Sequence, residues 1–301
     1  MSLAFAEYLD AKYPLDERSL NGDVRALFES SLRSHSALRI LDMGCGSGAS
    51  LRRLLQAGLH GRIELTGVDR DADLLQRARD RIVHNLEMAE FELSMSAEVV
   101  EARRNRETVT LRFAAADLST YEPAQSGIYD AVIAQALMDL LPLERMVERI
   151  RGWLAPAGLF YASLNYDAGT VLYPEYPSNQ FEAALLDVYD ASMARSVGGQ
   201  PCGGAQSGRH LHAALSKVGF DILALGSSDW NITPYCGGYR DADELCLAAL
   251  LDMIHGEGLR SGRFETQALD DWLGYRQAQL ADRKLGLIIH QIDLVAQKPA
   301  A

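Results

Sequence analysis

Short apolar runs alternate with amphipathic segments from residue 38 onward. The run LRILDMG (38–44) predicts a buried strand ending in glycine, and SLRRLLQAGL (50–59) has apolar residues at helical spacing. RIELTGVD (62–69) predicts a second strand. DADLLQRARDRIVHNL (71–86) predicts a helix with aspartate at its start, where the helix dipole favours negative charge. This order is typical of parallel βαβ units.

The same alternation continues to residue 165 and returns near the C-terminus. Residues 87–107 are expected to form a hairpin ahead of the third strand. Further strands are predicted at 108–117, 128–135, 159–165, 221–226 and 287–298, and further helices at 143–154, 181–194 and 209–220. The chain is therefore predicted to be an α/β protein, a three-layer, doubly wound, mostly parallel sheet with helices on both faces.

Three less regular segments are interpreted as insertions rather than independent domains. Residues 1–36 are predicted to form an N-terminal helical lid, with a helix start near Asp16. Residues 166–205 are rich in Tyr, Pro and Gly and are predicted to leave the sheet after Asn165 as a substrate lid. Residues 231–284 are predicted to form a helical cap. The core then consists of a cofactor-binding unit (37–165), a helix and strand (206–230), and a last strand with its tail (285–301).

Composition and charge exclude several classes of partner. The chain has 48% hydrophobic residues, 23% charged residues and a net charge of −12. Nucleic acids and anionic membranes are bound by clusters of Lys and Arg, so we expect neither as a partner. The sequence contains no apolar run of about 18 residues and no secretory leader, which predicts a cytoplasmic protein. Nothing in it points to an oligomer.

The cysteines and histidines do not suggest a metal site. Cys45, Cys202, Cys236 and Cys246 have neither CxxC spacing nor a histidine at zinc-finger spacing, so they are expected to be reduced thiols. No metal is predicted.

The sharpest motif is LDMGCGSG, in which Gly44, Gly46 and Gly48 follow a strand and open a helix. Glycine allows a tight turn and close approach to a ligand, and the helix N-terminus offers free N–H groups. The spacing is GxGxG rather than the GxGxxG of dinucleotide sites, and Asp42 lies beside the loop. A carboxylate there disfavours a diphosphate and suits a ligand with a cationic group. Asp69, at the end of the next strand, is placed to accept hydrogen bonds from ribose hydroxyls.

With AADL and YDAVIAQALMDLLP further along, LDMGCGSG and GVDRD resemble the motif series of class I S-adenosylmethionine-dependent methyltransferases. The resemblance covers residues 38–165 and extends more loosely to the final strands. It implies a seven-stranded sheet of order 3-2-1-4-5-7-6 and S-adenosylmethionine as cofactor, with S-adenosylhomocysteine as product. The segment AQALMD departs from the [DNS]PPY-like motif of enzymes that methylate DNA bases or glutamine, which argues against those acceptors.

The resemblance assigns the methionine portion of the cofactor to the glycine loop. It implies that Gly44, Gly46 and Gly48, with Cys45 among them, line that portion. It also implies that Asp42 helps hold the loop and the cofactor's amino group.

The remaining motif residues are assigned to the nucleoside and the methyl end. The resemblance implies that Asp69 takes the ribose hydroxyls and that Arg70 packs against adenine. Asp117 and Leu118 are then expected to contact the adenine, and Gln135 to face the methionine end.

Segments that cover the strand ends are expected to supply the acceptor side. Tyr13 and Arg18 of the N-terminal helix are placed to reach the cofactor's carboxylate, with a solvated amphipathic helix as the alternative. Asn165, Tyr166 and Asp167 are candidate substrate-binding residues in a lid that also contains Tyr173 and Tyr176.

Later segments contain a candidate substrate contact and candidate catalytic residues. Trp230, beside Asp229, is a candidate substrate contact or equally a core residue. Asp139 and Tyr166 are the candidate catalytic residues. Asp167, His210 and His212 are weaker candidates for a base, and the two histidines do not share a helix face.

The predicted function is methyl transfer from S-adenosylmethionine to a small-molecule acceptor, with an N, O, S or C nucleophile left open. Two alternatives stay open at this point. One is a nicotinamide-dependent oxidoreductase, which the GxGxG spacing and Asp42 disfavour. The other is a regulatory protein that binds the cofactor without turnover.

Overall fold

The computed structural model describes residues 5–235 and 237–300, and these residues form a central sheet flanked by helices. The helices are α1 (Phe5–Ser19), α2 (Gly22–Arg33), α3 (Ala49–Gln56), α4 (Ala72–Met88), α5 (Leu143–Trp153), α6 (Asn179–Ser192), α7 (Ser207–Lys217), α8 (Asp243–Ser261) and α9 (Thr266–Ala281). The strands are β1 (Ala37–Met43), β2 (Arg62–Asp69), β3 (Glu92–Met95), β4 (Val99–Arg104), β5 (Glu107–Ala115), β6 (Tyr129–Gln135), β7 (Leu154–Tyr173), β8 (Ser196–Val197), β9 (Gln200–Pro201), β10 (Asp221–Ser227), β11 (Trp230–Ile232) and β12 (Gly286–Gln297). Short 3₁₀ turns occupy Met138–Leu140 and Gly204–Gln206.

The sheet has the predicted order of core strands. From one edge it runs β10-β12-β7-β6-β1-β2-β5-β4-β3. Its seven core strands, numbered along the chain, therefore read 6-7-5-4-1-2-3, the predicted order seen from the other edge. The predicted hairpin is present as β3 and β4, which extend the edge at β5, and β11 pairs with β12.

Register brings the chemically important strand ends to one edge. β1 pairs in parallel with β2 and β6, so that Asp42 lies opposite Gly67 on one side and Ile133 on the other. β5 and β7 continue the parallel set, while β12 runs antiparallel to β7 and β10. Because the carboxyl ends of parallel strands meet at one edge, the loops after β1, β2, β5 and β6 lie close together.

Three apolar clusters hold the helices against the sheet and against one another. Helices α2, α3 and α4 bury their apolar sides on one face of the sheet, and α5 and α7 do so on the other. A third cluster joins α1, α6, α8 and α9 to β11 and to the distal parts of β7 and β12. This third cluster forms a helical cap above the carboxyl edge of the sheet.

A buried ion pair ties two helices of the cap together. Arg276 of α9 is fully buried and donates two 2.6 Å hydrogen bonds to the Glu182 carboxylate of α6. The indole N–H of Trp272 donates to the same carboxylate at 2.8 Å. Every strong polar group of the pair therefore has a partner, as burial of charge requires.

Two expectations from the sequence are wrong. The chain does not leave the sheet after Asn165, because β7 continues to Tyr173 and pairs with β12 as far as Gly286. Pairing survives two bulges, and at the first Asp293 accepts a 2.7 Å hydrogen bond from the N–H of Leu164. The helix start near Asp16 is also wrong, since α1 runs through that residue and through Pro14.

Some expectations concern residues outside the described part of the chain. Cys45, Cys202 and Cys246 are free thiols, whereas Cys236 lies outside the described residues, as do residues 1–4 and 301 of the predicted terminal segments. Among the helices that the structure describes, none is long and apolar enough to cross a membrane.

Candidate functional site

The loop after β1 has a conformation that requires glycine. Gly44, Gly46 and Gly48 all have positive φ, at 62°, 49° and 85°. The turn is held by backbone hydrogen bonds from Cys45 to Val68 at 3.1 Å and from Gly48 to Cys45 at 2.8 Å. Side chains other than glycine rarely adopt this conformation, so the motif spacing follows from the turn.

The surroundings of the loop leave little room for side chains on it. A Cβ on Gly48 would lie 3.0 Å from the Cβ of Ala78, and one on Gly44 would lie 2.8 Å from Leu137. Leu9 of α1 approaches the Cβ position of Gly46 to 3.8 Å. Helix α1 and the segment after β6 therefore both lie against the loop.

Asp69 connects the loop to the end of β2. Its Oδ2 accepts the N–H of Gly46 at 2.9 Å, and its Oδ1 accepts the N–H of Asp71 at 3.0 Å. Each carboxylate oxygen has two lone pairs, so both keep the capacity to accept a further hydrogen bond.

Asp42 is a fully buried carboxylate beside the loop. Neither of its oxygens has a hydrogen-bond partner among the described residues. Burial, with a smaller contribution from the nearby charge of Asp69, raises its pKa to about 7, although Ser50 and Arg53 oppose the shift. A buried acceptor without a donor is costly. The arrangement fits a ligand that brings a cationic N–H group, such as the ammonium of S-adenosylmethionine.

Arg53 is a buried cation next to Asp42. Its guanidinium donates to Glu17 of α1 at 2.5 Å and to the side-chain oxygen of Gln135 at 2.7 Å. Gln135, predicted at the methionine end, is thus joined to α1 and α3 at the end of β6.

The predicted nucleoside side of the loop is more open. Asp117 and Arg70 are both exposed. Hydrogen bonds from Ser119 lower the pKa of Asp117, and the charge of Arg70 makes a smaller contribution in the same direction. Leu118 packs its side chain into the core under α5. Arg70 and Asp117 follow the ends of β2 and β5, which are neighbouring strands of the sheet.

Two residues of α1 that were expected near the cofactor carboxylate have other partners. Arg18 pairs with the buried Asp243 of α8. The ring of Tyr13 lies 4.6 Å from the guanidinium carbon of Arg52. Their predicted contact with the cofactor stays a prediction.

Asp139 lies in the 3₁₀ turn after β6, and Tyr166 lies within β7, opposite Gln291 of β12. Burial raises the pKa of Asp139 to about 6, although Arg195 and Lys12 oppose the shift. The hydroxyl of Tyr166 donates to Asp190 at 2.6 Å, and burial together with this carboxylate raises the tyrosine's pKa. Asn165 is buried and its Oδ1 has no partner among the described residues.

The other acceptor-side candidates are engaged in structural contacts. Asp167 accepts the backbone N–H of Arg209 at 2.8 Å at the start of α7 and pairs with its guanidinium. Trp230 is 5% exposed, packs in the cap cluster and donates to Asp16 at 3.1 Å. The structure does not bring either residue into contact with the glycine loop.

The histidines and the lid tyrosines lie away from this arrangement. His210 and His212 are exposed on α7, and the described residues contain no group of three potential metal ligands. Tyr173 donates to the backbone of Ile232, and Tyr176 packs edge-on against Tyr275.

Sequence reasoning missed two residues that help to build the site, Arg53 and Glu17. Arg53 had a detectable signal, because it lies three residues after Ser50 and so shares the inward face of α3. Glu17 lies on α1, and its partner Arg53 comes from a distant part of the chain.

Comparisons with known proteins agree with this geometry. A family model described as a methyltransferase domain matches residues 41–162. A protein from Bacillus halodurans C-125, described only as a candidate methyltransferase, is similar in structure with a TM-score of 0.52 at 13% identity, covering 93% of this chain and 100% of that one. No curated protein matches the sequence.

Two further solved structures are similar at lower scores. The phosphoethanolamine N-methyltransferase 2 of Haemonchus contortus has a TM-score of 0.45 at 15% identity, covering 93% of this chain and 52% of its own. The geranyl diphosphate C-methyltransferase of Streptomyces coelicolor A3(2) has a TM-score of 0.43 at 11% identity, covering 92% and 79%. Residues 41–162 therefore match a methyltransferase domain, and the described residues have a fold similar to that of the Bacillus halodurans protein.

Proposed function

We propose that the protein is an enzyme that transfers a methyl group from S-adenosylmethionine to a small-molecule acceptor. The observation that carries this proposal is the buried, unpartnered carboxylate of Asp42 beside a glycine loop of positive φ. A dinucleotide diphosphate would be repelled there, whereas the ammonium of the cofactor satisfies both the charge and the missing hydrogen bonds. The match to a methyltransferase domain over residues 41–162 supports the same conclusion.

The cofactor is proposed to lie along the carboxyl edge from β6 to β5. Asp42 and Gln135 hold the methionine end, and Asp69 accepts hydrogen bonds from the ribose hydroxyls. The loop residues Gly44, Cys45, Gly46 and Gly48 line the methionine portion, while Arg70, Asp117 and Leu118 contact adenine. Arg18 stays a proposed contact of the carboxylate, and it requires a rearrangement of its pair with Asp243.

When bound, the cofactor supplies an electrophilic methyl group, so the protein contributes mainly by position. Helix α1, with Leu9 over Gly46, excludes water from the methionine side. Correct placement of an acceptor alone can contribute up to about 7–11 kcal/mol in favourable model reactions.

The acceptor is proposed to bind above β6 and β7, under the cap. Asp139 is the proposed base and Tyr166 the proposed hydroxyl contact. Asn165, whose Oδ1 is buried without a partner, is a proposed substrate ligand. Asp167 and Trp230 support the proposed acceptor site through their hydrogen bonds to Arg209 of α7 and Asp16 of α1, respectively.

A small molecule is the proposed acceptor because cap helices cover this edge of the sheet and the net charge of −12 opposes nucleic acid. A cytoplasmic location is proposed from the free thiols of Cys45, Cys202 and Cys246.

The test is turnover of S-adenosylmethionine labelled in its methyl group, with mass spectrometry of the products from a panel of amines, phenols, thiols and carbon acids. We expect a labelled small-molecule product that depends on the Asp139 side chain, with activity reduced about 10²–10⁴-fold in Asp139→Asn if the acceptor must lose a proton. Tight cofactor binding without any product across the panel would instead indicate a regulatory binder.

A further inference from the structure

A cavity of about 270 Å³ lies between helices α1, α3 and α4. Six side chains from these three helices line it: Asp10 and Tyr13 of α1, Arg52 of α3, and Arg81, His84 and Asn85 of α4. No residue of the glycine loop (44–48) is among them. The cavity is therefore separate from the cofactor site proposed above.

Arg52 is a cation without a carboxylate partner in this cavity. Its guanidinium carbon lies 4.6 Å from the centroid of the Tyr13 ring. Its Nε is buried without a hydrogen-bond partner, and the guanidinium forms no ion pair with any residue that the structure describes. A guanidinium presents its N–H groups in a planar fork that matches a carboxylate. One side of the cavity therefore offers a position for a carboxylate.

Asp10 offers the opposite chemistry. Its Oδ2 pairs with the guanidinium of Arg81 at 2.6 Å and lies 3.8 Å from that of Arg77. Its Oδ1 is buried and has no donor among the described residues. A buried acceptor without a donor is costly, so this oxygen is placed to accept a hydrogen bond from a ligand.

The charges of the lining select a ligand that carries both signs. A simple anion would face the Asp10 carboxylate, and a simple cation would face Arg52 and Arg81. Asp10 and Tyr13 are three residues apart on α1, a spacing that brings Cβ atoms to about 5–6 Å from one another. Because Arg52 lies against the Tyr13 ring, the unpartnered cation and the unpartnered carboxylate oxygen lie about one helical turn apart. A small zwitterion can bridge such a span.

We propose that this cavity binds a free α-amino acid, with its carboxylate on Arg52 and its ammonium on Oδ1 of Asp10. The side-chain amide of Asn85, which makes no hydrogen bond to a described residue, adds a further donor and acceptor at the cavity wall. The ammonium of S-adenosylmethionine is proposed to bind Asp42, so the two sites use different charged residues. The inference does not depend on the proposed methyl transfer.

The experiment screens the common L-amino acids by ligand-detected NMR against the protein saturated with S-adenosylhomocysteine, which fills the cofactor site. Each amino acid that binds is then titrated beside two analogues, one without the ammonium and one without the carboxylate. For alanine these analogues are propionate and ethylamine. We expect the amino acid to bind at least about tenfold more tightly than either analogue, since each lacks one hydrogen-bonded charge.

Three variants place the binding in this cavity. Arg52→Gln removes the unpaired charge and should weaken amino-acid binding at least about tenfold. Arg79→Gln is the matched control, because this arginine of α4 donates to the backbone oxygens of Ser96 and Ala97 and does not line the cavity. It should leave the affinity unchanged. Asp10→Asn should weaken binding of the amino acid but strengthen binding of the analogue that keeps only the carboxylate. A purely structural role of Asp10 would weaken both.

Several results would overturn the inference. These are the absence of amino-acid binding, equal affinity for an amino acid and its analogue without the ammonium, and unchanged binding in a folded Arg52→Gln protein. Loss of amino-acid binding in Asp42→Asn would place the ligand in the cofactor site and would also overturn it. Failure of S-adenosylhomocysteine to bind would count against the proposed function alone, because the same titrations can then be run without it.

Discussion

The backbone N–H of Gly46 donates a 2.9 Å hydrogen bond to Oδ2 of Asp69, so the end of β2 fixes the loop that follows β1. The carboxylate proposed to bind the ribose therefore also sets the position of the loop proposed to bind the methionine. Both halves of the cofactor site depend on a single side chain.

Replacement of that side chain should weaken cofactor binding markedly. Asp69→Ala is expected to reduce the affinity for S-adenosylhomocysteine by about 1.5–3 kcal/mol, the range for hydrogen bonds to a charged group. Asp221→Ala, at an exposed position of β10, is the control. Unchanged affinity in a folded Asp69→Ala protein would show that the ribose assignment is wrong.

The Asp42 carboxyl should make the protein's stability depend on pH. Its pKa of about 7 in the folded protein lies above the ordinary value of 3.8. The folded state therefore binds more protons than the unfolded state between these values, and this group's contribution to stability falls as pH rises from about 4 to 7. Without cofactor, Asp42→Asn is expected to be more stable than the parent above pH 7 by about 1 kcal/mol or more, because no charge is desolvated.

Cofactor affinity should show the opposite trend in the same titration. The ammonium needs the ionised carboxylate, so S-adenosylhomocysteine affinity of the parent should fall as pH drops below about 7, and that of Asp42→Asn should be low throughout. Urea denaturation and calorimetry across pH 5–9 measure the two effects. An Asp42→Asn protein with parental affinity at pH 8 would contradict the role of Asp42.

The loop glycines should tolerate no side chain. Gly48→Ala is expected to destabilise the protein by about 1–2 kcal/mol, the cost of a left-handed conformation, and to displace Ala78. Gly152→Ala is the matched control, since no atom lies within 4 Å of the Cβ position at this helical residue and its φ is not positive. It should be neutral or stabilising by about 0.5–1 kcal/mol. Equal effects of the two substitutions in urea denaturation would refute the conformational argument.

The core fold could be predicted because its signals are local. Residues 38–44 form a short apolar run, and residues 71–86 have apolar residues at helical spacing. Asp71 caps the helix, as its position at the start of this pattern suggests. The turn after β1 is likewise determined locally, because Gly44, Gly46 and Gly48 lie within five residues. These features need no information from distant segments.

The continuation of β7 could not be predicted in the same way. The sequence around Asn165, Asp167 and Gly169 contains polar residues and glycine, a composition typical of a loop. It forms a strand because β12, more than 120 residues later, supplies both the pairing and the Asp293 carboxylate that holds the bulge at Leu164. For the same reason, the sequence did not reveal that Glu17 reaches Arg53.

The cap should depend on its buried ion pair. Arg276→Leu leaves Glu182 as a buried charge without its partner and is expected to destabilise the protein by about 3–5 kcal/mol. Arg260→Leu breaks a largely exposed pair with Glu257 and should cost no more than about 1 kcal/mol. Thermal unfolding measures both. Similar losses for the two variants would mean that burial does not govern the strength of these pairs.

The loop after β1 is proposed to bind an adenosyl amino acid and not a dinucleotide. Calorimetric titration of the protein with S-adenosylhomocysteine and, separately, with NADH distinguishes these two ligands. We predict binding of S-adenosylhomocysteine with one site per chain and no measurable heat of binding for NADH. Binding of NADH without binding of S-adenosylhomocysteine would contradict it.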